Sequence, residues 1–538
     1  MLYYSKGVIH RSKSKENHMR REIAEFRNEP LTDFKQDESR RAMRQALEKV
    51  AKELGRTCPL VIGGERVESG ETFVSIDPSD PTRAIGRFQK GTPQHADKAV
   101  RAAAEAFESW RWRTAEERAG LLFDAAGMLR QIKHEMSAWM VYEVGKTWVE
   151  ADADTAEAID FCEYYGREAL RLAGEQRLVK IPTERNEQTY IPLGVGAVIP
   201  PWNFPLAIMA GMTVAALVTG NAVVLKPSSD SPAIAWKFFE ILERCGMPPG
   251  VVNFLTGPGA LAGETLVKHP LVRFIAFTGS KDVGLRINEL AAKAQPGQRW
   301  LKRAILEMGG KNFIIVDREA DLDAAASGIV VSAYGFQGQK CSACSRAIVL
   351  RDVYDKVLER VVEKTRALVV GAASDPETDV GPVVNAAAEK KILDYIEVGR
   401  REGRLVAGGG KAAGPGFFIQ PTVIADVAPN ARIAQEEIFG PVLAFIPAKD
   451  LDEAIEIANG TEYGLTGSVY SNRPEHIEKA KRLCHAGNFY VNRKCTGALV
   501  GVHPFGGFNM SGTDSKAGGP DYLLLVTQAK AISEVVRK

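Results

Sequence analysis

The sequence predicts an α/β protein built around a largely parallel sheet. Segments with apolar residues at helical spacing alternate with short apolar runs rich in β-branched residues along all 538 residues. This alternation is typical of parallel strands with helices between them. No internal repeat, low-complexity tract or clear linker divides the chain, so we expect two large lobes built from interleaved segments.

The first elements are predicted from spacing and turn residues. Apolar side chains between positions 43 and 54 recur at helical spacing, and Gly55 is expected to end this helix. Residues 60–67 surround a Gly-Gly pair and predict a tight hairpin. Thr114 and Glu117 have the spacing of a capping box at the start of a further helix.

Residues 188–225 contain no Asp, Glu, Lys or Arg. Part of this segment, 206–225, is long enough to cross a membrane, but prolines crowd one end and a Gly-Asn pair interrupts the other. We therefore expect a buried strand, helix and strand at 195–199, near 206–218 and at 222–225. Further strands are predicted at 251–255, 274–277, 312–316 and 347–350, and further helices at 153–161, 260–267 and 354–368.

The charge balance and the cysteine content limit the possible functions. A formal net charge of +2 lacks the basic surplus that nucleic-acid binding needs. Seven cysteines do not make a disulfide framework. The cysteine content therefore favours free thiols in a reducing, cytoplasmic location. Residues 1–24 begin basic but contain no apolar stretch of signal-peptide length. We interpret them as a disordered or extra tail, with a transit peptide as the alternative.

Two glycine-containing turns are candidates for phosphate binding. Gly257, Gly259 and Gly263 follow a predicted strand and open a helix, with one residue more than the usual dinucleotide fingerprint. By itself this pattern is equally typical of an ordinary glycine-rich turn. Gly279 and Ser280 also end a strand and start a helix, where free N–H groups and a hydroxyl can hold a phosphate.

Cys341 is the cysteine whose surroundings indicate chemistry. Its neighbours are Gly, Gln, Lys and Ser, and the adjacent Lys340 is expected to lower the pKa of the thiol. Cys344 and Cys341 form a C-x-x-C motif, but the second pair of ligands that zinc needs is missing. Cys344 is therefore interpreted either as a resolving thiol or as a packed side chain. Glu307 precedes two glycines, where a carboxylate can move and contact a water; a surface glutamate is the alternative.

Six motifs, in order, resemble the aldehyde dehydrogenase superfamily, and the match runs from about residue 25 onward. They are Ile199-Pro200-Pro201-Trp202-Asn203-Phe204-Pro205, Lys226-Pro227-Ser228, 277–280, 307–311, 338–342 and 436–441. The 34 positions from Glu307 to Cys341 fit the family's spacing between base and nucleophile. Segments 26–30, 336–346, 496–501 and 503–507 are most similar to the enzymes that oxidise L-glutamate γ-semialdehyde in proline degradation.

The resemblance implies a division of the chain into domains. A Rossmann-like NAD-binding domain would comprise residues 25–174 and 193–304, and a catalytic α/β domain 305–505. A small β oligomerisation element would combine 175–192 with 506–538, and its β pattern suits the extension of a neighbour's sheet. The resemblance further implies a homodimer, and the assembly of dimers into a hexamer stays open. It implies neither a nucleic-acid partner nor a membrane partner.

The resemblance also implies the catalytic groups. Cys341 would be the nucleophile and Glu307 the general base for thioester hydrolysis, while the Asn203 amide and the Cys341 N–H would stabilise the oxyanion. NAD would be bound by Trp202, Lys226, Ser229, Gly257, Gly259, Gly279, Ser280, Glu437 and Phe439. NAD-selective relatives often carry Glu at the position of Ser229, so the use of NADP⁺ stays open.

A further set of residues would bind the substrate. Its members are Ser342, Gly497, Ala498, Phe505, Phe204, Lys340 and Glu157. Backbone N–H groups of Gly497 and Ala498 would hold the α-carboxylate, and for Glu157 a solvated helix face is the alternative. Two other functions stay open: a dehydrogenase for another semialdehyde or an aliphatic aldehyde, and a non-enzymatic protein of this fold. The intact catalytic groups argue against the second.

Overall fold

The computed structural model describes residues 24–536. The predicted tail, apart from Ala24, lies outside the described residues. The helices are α1 (Asp37–Ala51), α2 (Pro93–Trp110), α3 (Ala115–Gln131), α4 (Lys133–Val144), α5 (Trp148–Ala173), α6 (Ala207–Val218), α7 (Pro232–Arg244), α8 (Glu264–Lys268), α9 (Lys281–Ala292), α10 (Leu322–Tyr334), α11 (Tyr354–Arg366), α12 (Ala386–Glu402), α13 (Arg432–Gln435), α14 (Leu451–Asn459) and α15 (Pro474–Leu483).

The strands comprise β1 (Arg56–Cys58), β2 (Leu60–Ile62), β3 (Glu65–Val67), β4 (Thr72–Asp77), β5 (Asp80–Gln89), β6 (Glu184–Pro192), β7 (Val195–Ile199), β8 (Ala222–Leu225), β9 (Val252–Phe254), β10 (Val272–Thr278), β11 (Arg303–Glu307), β12 (Asn312–Val316), β13 (Cys344–Leu350), β14 (Arg404–Ala407), β15 (Thr422–Ala425), β16 (Val442–Ala448), β17 (Tyr463–Gly464), β18 (Thr466–Tyr470), β19 (Asn488–Val491), β20 (Phe508–Asn509) and β21 (Thr527–Val535). Helices alternate with these strands through most of the chain, so the predicted α/β class is confirmed.

The first large sheet has the order β11-β10-β7-β8-β9-β2-β3. Its first five strands are parallel, and the hairpin β2–β3 joins them antiparallel to β9. Side chains alternate across β7 and β8, so Val195 and Ala222 pack on one face while Val198 and Val223 pack on the other. Both faces are covered, which explains the uncharged sequence of this region.

The second large sheet has the order β14-β15-β16-β13-β12-β18-β19. All its pairs are parallel except β14–β15. Ile315 and Ile348 pack on one face, and Ile314 and Ala347 pack on the other. The two sheets follow one another along the chain, with β11 closing the first and β12 opening the second. The structure does not test the exact predicted domain boundaries, which stay a prediction.

A two-stranded antiparallel sheet joins distant parts of the chain. β6 pairs with β21 along its whole length, from Glu184 opposite Val535 to Pro192 opposite Thr527. Segments from both parts of the predicted oligomerisation element thus pair within one chain, while the role of this sheet in oligomerisation stays a prediction.

Several predicted elements match the structure closely. The segments 195–199, 222–225 and 312–316 coincide with β7, β8 and β12, and Thr114 forms the predicted capping box with Glu117. Within residues 24–536, no helix combines the length and apolar composition needed to cross a bilayer. The segment considered as a membrane span forms α6 and β8 instead.

Two predicted helix boundaries are wrong. Helix α1 ends at Ala51 rather than next to Gly55, because Lys52 and Glu53 close it with short-range hydrogen bonds to Lys49 O and Val50 O. The helix predicted at 260–267 begins as a wider π-helical turn, Gly259–Gly263, and becomes α-helical at Glu264.

Candidate active site

The loop between β7 and α6 carries Trp202, Asn203 and Phe204 at the carboxyl edge of the first sheet. Asn203 is 4% exposed, and its Nδ2 donates to Gln339 O at 3.0 Å. The Trp202 ring lies 5.5 Å from the Phe439 ring in an edge-to-face arrangement. This loop therefore contacts the segments before Cys341 and after Glu437.

A strained turn precedes Cys341. After α10, Phe336 and Gln337 adopt left-handed backbone conformations, with φ of 49° and 57°. Such conformations are unfavourable for residues with a Cβ and persist only where the surroundings hold them. Gln337 Nε2 supplies that support by donating to Gly145 O at 2.9 Å and to Pro382 O at 2.7 Å. The turn thus has a defined conformation that presents Cys341.

The Cys341 thiol lies in a carboxylate-rich environment. Burial, followed by the charges of Glu307 and Glu437, raises its pKa to about 12, and Glu157 acts in the same direction. The expectation that Lys340 lowers this pKa is wrong, because the Lys340 ammonium pairs with Glu150 at 2.6 Å. Burial and the neighbouring carboxylates therefore favour the protonated form of the thiol.

Glu307, the last residue of β11, is held by the C-terminal part of the chain. The Ser515 hydroxyl donates to its Oε1, and Ser515 N lies 3.4 Å from the same atom. Burial raises the pKa of Glu307 to about 7, even though the hydrogen bonds from Ser515 and the charge of Lys516 oppose the increase. A carboxyl group that titrates near neutral pH suits a general base.

Glu437 explains the glycines that follow Glu307. Gly310 N donates to Glu437 Oε1 at 2.9 Å, and a Cβ on Gly309 would collide with the same carboxylate. A Cβ on Gly310 would lie 2.6 Å from Cys341 O. The pair of glycines thus permits close packing of three segments, a physical reason different from the side-chain mobility expected from the sequence.

The predicted cofactor residues of the first sheet follow strands β8 and β9. Lys226 is 4% exposed, and burial lowers its pKa to about 8. Its side chain runs beside Gly263, where a Cβ would meet it at 3.5 Å. Ser229 and Gly259 are exposed. Gly257 has a different role, because its φ of 141° and its close approach to the Gly91 backbone exclude a side chain.

Ser280 lies at the N-terminus of α9, directly after β10 and Gly279. It is the N-cap residue, but its side chain makes no capping hydrogen bond. Gly279 N donates to Glu307 O at 3.0 Å, which links this turn to the strand that carries the candidate base. The exposed Ser280 hydroxyl and the first turn of a 12-residue helix together fit a phosphate group.

The loop that carries Gly497 and Ala498 is held from one side by Arg493. Its Nη2 donates to Thr496 O at 2.9 Å and to Gly497 O at 3.0 Å. Because C=O and N–H point in opposite directions across a trans peptide, the N–H groups of Gly497 and Ala498 face away from Arg493. The loop therefore has two adjacent donors on one side.

The cation Lys494 lies beside the same loop. A Cβ on Gly497 would meet Lys494 Nζ at 3.4 Å. Burial and the charge of Lys340 lower the pKa of Lys494, while Glu150 opposes them. Ser342, 8% exposed, contacts this region through its carbonyl, which accepts from Cys495 Sγ at 3.6 Å. The geometry is suited to a small carboxylate.

A buried ion pair lies under the Phe204 side of the site. Lys146 and Asp154 are both fully buried, with Nζ and Oδ2 2.9 Å apart, and the Lys146 ammonium stands 3.9 Å from the centre of the Phe204 ring. Asp154 Oδ1 also accepts from Ala207 N at 2.6 Å at the start of α6. This pair fixes the loop that contains Asn203.

Glu157 follows Asp154 by three positions on α5. Burial, together with the charge of Asp154, raises the pKa of Glu157 to about 8, while Lys146 opposes the increase. Glu157 is partly buried rather than on a solvated helix face. Phe505 is also partly buried and precedes Gly506, where a Cβ would lie 3.2 Å from Glu307 Oε1.

Hydrogen bonds and charge interactions thus link Asn203, Glu307, Glu437 and Glu157 to the segment around Cys341. Lys226, Ser229, Gly257 and Gly259 follow β8 and β9 along the same carboxyl edge of the first sheet. Sequence reasoning missed Ser515, Arg493 and Lys146. Ser515 is 208 positions from Glu307, and no local sequence pattern links the two residues. Arg493 could have been recognised as a candidate, because it lies four residues before Gly497.

This arrangement defines the class of protein. The chain belongs to the aldehyde dehydrogenase family: the family model matches residues 66–532. The nucleophile candidate, the base candidate and both large sheets lie within the matched part, except for β2 and the first residue of β3.

More particular similarities cover almost the whole chain. It is 60% identical over 513 residues to the 1-pyrroline-5-carboxylate dehydrogenase of Geobacillus sp. (strain WCH70), covering 95% of this chain and 100% of the relative. The corresponding protein of Bacillus cereus (strain ATCC 10987) is 56% identical over 514 residues, covering 96% and 100%. The solved 1-pyrroline-5-carboxylate dehydrogenase from Thermus with bound NAD has a TM-score of 0.94 and 54% identity, covering 96% and 100%.

Proposed function

We propose that the protein oxidises L-glutamate γ-semialdehyde, the open form of 1-pyrroline-5-carboxylate, to L-glutamate with NAD⁺, as a step of proline degradation. The observation that best supports this function is the convergence of Cys341, Glu307 and Asn203 from three distant segments of the chain. It is supported by full-length relatives with this activity in their names, up to 60% identical. The aldehyde carbon of the substrate would lie at Cys341 Sγ.

The reaction begins with the Cys341 thiolate attacking the aldehyde to form a thiohemiacetal. The pKa of the thiol is raised to about 12, so the thiol must lose its proton before the attack. The positive charge of the nicotinamide would favour the thiolate.

Asn203 stabilises the oxyanion that this attack creates. Its Nδ2 uses one N–H bond on Gln339 O, and an amide nitrogen has a second. That second N–H and the Cys341 N–H form the oxyanion hole. The loss of one such donor typically costs about 10²–10³-fold in rate, and the Lys146–Asp154 pair keeps Asn203 in position.

Bound NAD⁺ supplies the hydride acceptor that turns the thiohemiacetal into a thioester. The residues that fit it are the Ser280 hydroxyl at the start of α9 for the pyrophosphate, Lys226 for the adenosine ribose and Glu437 for the nicotinamide ribose. The exposed Gly259 leaves open space on the same edge. Glu307 then removes a proton from the water that hydrolyses the thioester. NADP⁺ stays a candidate second cofactor, because Ser229 carries no negative charge that would repel the 2′-phosphate of NADP⁺.

The anchor loop, residues 493–501, selects the substrate. The N–H groups of Gly497 and Ala498 hold the α-carboxylate, with Ser342 adding a hydroxyl and Lys494 a nearby positive charge. Glu157 accepts a hydrogen bond from the ammonium group, and Lys340, paired with Glu150, is a further member of the substrate-binding set. Phe204 and Phe505 contact the aliphatic part.

The protein acts as a homo-oligomer, at least a dimer, in the cytoplasm. The β6–β21 sheet is the oligomerisation element, and its exposed side chains Ile532 and Val535 support this role, being 40% and 71% exposed. Residues 25–174 and 193–304 form the NAD-binding domain and 305–505 the catalytic domain.

The test of this function is NADH production from a panel of aldehydes. We expect kcat/KM to be highest for 1-pyrroline-5-carboxylate and to fall by roughly 10–100-fold for succinate semialdehyde, which is one carbon shorter and lacks the α-ammonium group. Each substrate is assayed with NAD⁺ and with NADP⁺. A higher kcat/KM for succinate semialdehyde would assign another semialdehyde to this site.

The role of Glu307 is tested by the Glu307→Gln variant. Without the base, hydride transfer yields one NADH per active site and the thioester then persists, so steady-state turnover falls by about 10²–10⁴-fold. Stopped-flow absorbance distinguishes the burst from the steady state. Glu462→Gln, an exposed glutamate paired with Lys281, is the control. If the burst itself disappears, Glu307 acts before hydride transfer, and the assignment to hydrolysis is wrong.

A further inference from the structure

A histidine without a role in the proposed reaction lies next to the anchor loop. His503 follows the end of this loop closely and is partly buried. Leu499 N, within the loop, donates to His503 Nδ1 at 3.1 Å, and His503 N donates to Leu499 O at 2.8 Å. The side chain and the backbone of His503 thus close a turn around the second half of the loop.

This turn fixes a part of the loop that packing holds only weakly. The Leu499 side chain is 45% exposed. Gly497 and Gly501 both have φ of 75°, a conformation that glycine adopts freely and that leaves the backbone many alternatives. Leu499 N–H is the backbone donor that directly follows the N–H groups of Gly497 and Ala498. The hydrogen bond to His503 therefore restrains the orientation of these two proposed carboxylate donors.

The His503 ring is arranged to accept a hydrogen bond. Arg493 Nη1 lies 3.2 Å from His503 Nε2, so the groups that face the two ring nitrogens, this guanidinium and the Leu499 N–H, are both donors. A protonated ring would direct an N–H at each of them, and burial and the charge of Arg493 lower the pKa of His503. The neutral ring has one accepting nitrogen. It is Nδ1, because the guanidinium also donates to Gly497 O, whereas the backbone fixes the direction of the Leu499 N–H.

We propose that His503 is a positioning residue for substrate binding: its Nδ1 accepts the Leu499 N–H and thereby keeps the N–H groups of Gly497 and Ala498 directed at the α-carboxylate of the substrate. This inference rests on the proposed function, in which the anchor loop holds that carboxylate. Without the hydrogen bond the loop adopts further conformations, and only a fraction of the molecules can bind the carboxylate. The apparent affinity falls in proportion to that fraction, so a decrease to about one tenth raises KM about tenfold.

Three variants of the full-length chain test this role. His503→Ala removes both ring nitrogens. His503→Asn is the conservative variant, because the asparagine Oδ1 takes the place of Nδ1 and can accept the same N–H. His485→Ala is the matched control: His485 is exposed, and its ring packs beside Phe508 with the ring centres 5.0 Å apart.

Hydrogen–deuterium exchange with mass spectrometry measures the loop without any substrate. We expect the amides of residues 493–501 to exchange about tenfold faster in His503→Ala, and at the wild-type rate in His503→Asn and His485→Ala. Exchange in the rest of the chain should stay unchanged, which shows that the fold is intact. An unchanged rate in the loop of His503→Ala, or equal acceleration throughout the chain, would overturn the proposal.

Steady-state kinetics then separates positioning from general damage. In His503→Ala, KM for 1-pyrroline-5-carboxylate should rise about tenfold while kcat stays within about twofold and the Kd for NAD⁺ is unchanged, because the loop contacts the carboxylate and not the reacting atoms. His503→Asn should restore KM. A lower kcat at unchanged KM, or equal defects in both variants, would overturn the proposal. If the wild-type chain itself does not prefer this substrate, the proposed function fails, and the exchange measurement still decides whether His503 holds the loop.

Discussion

The two halves of the described chain differ in where their backbone is strained. From residue 24 to 335, every residue with positive φ is a glycine. From 336 onward, non-glycine residues with positive φ occur at Phe336, Gln337, Asp426, Phe439, Asn492, Asn509, Asp514 and Lys516. The half that carries the cofactor edge of the first sheet therefore uses relaxed strand–loop–helix turns, whereas the half that carries Cys341 does not.

Most of these strained positions border the candidate site. Phe336 and Gln337 lead into Cys341, and Phe439 packs on Trp202. Asp514 and Lys516 flank Ser515, the residue that holds Glu307. A left-handed conformation costs roughly 1–2 kcal/mol for a residue with a Cβ, so the surroundings must stabilise it. The comparison teaches that the proposed catalytic geometry depends on distant support, while the cofactor contacts proposed for the first sheet depend on local turns.

Among the changes that test this comparison, the largest expected effect follows from Gln337→Ala, which removes that support. Two buried carbonyls, Gly145 O and Pro382 O, lose their donor, which should lower the free energy of unfolding by about 2–4 kcal/mol. Displacement of Cys341 should lower kcat by roughly 10–100-fold. Urea denaturation and steady-state kinetics measure the two quantities.

The control for Gln337 comes from the relaxed half. Gln176 Nε2 also donates to two backbone carbonyls, Leu172 O and Gly174 O, but in an exposed segment. We expect Gln176→Ala to change stability by less than about 1 kcal/mol and to leave kcat unchanged. Equal effects of both variants would remove the distinction between the two halves.

A smaller, pH-dependent effect is expected for Ser515→Ala. The Ser515 hydrogen bonds lower the pKa of Glu307, which burial raises to about 7. Below that pKa the base is protonated and thioester hydrolysis slows, so the rate should rise with pH and level off above neutrality. Without Ser515 the pKa rises further, so turnover at pH 6 should fall by roughly tenfold while turnover at pH 9 is retained.

The pH profile of the variant separates positioning from simple damage. A loss of stability or of general packing would lower turnover by the same factor at every pH. Ser109→Ala, which removes a hydroxyl from an exposed helix end, should leave the profile unchanged. A uniform loss in Ser515→Ala would show that Ser515 does not set the pKa of Glu307.

The smallest expected effect lies in the relaxed half, at Ser280. Its hydroxyl makes no capping hydrogen bond, so Ser280→Ala should hardly change the melting temperature. The loss of one hydrogen bond to the pyrophosphate should raise the Kd for NAD⁺ by about 2–10-fold, as measured by fluorescence titration. A lower melting temperature with an unchanged Kd would assign Ser280 to helix capping instead.

Much of the fold could be predicted because its strands are short apolar runs with clear ends. The segments 195–199, 222–225 and 312–316 are bounded by Gly, Pro, Asn, Lys or Asp and coincide with β7, β8 and β12. Helix ends were harder: Gly55 looked like a helix terminus but lies in the following turn, where its N–H donates to Ile85 O in another strand. That partner cannot be recognised from local sequence.

The sequence by itself determined the class of protein, the nucleophile candidate and its base, because these depend on residue type and on spacing along the chain. Only the tertiary structure decided the ionisation of these groups and their partners. Lys340 is next to Cys341 in sequence but pairs with Glu150, while Glu307 and Glu437 raise the pKa of the thiol from distant segments. Charge interactions and burial depend on distance in space, and chain folding alone sets that distance.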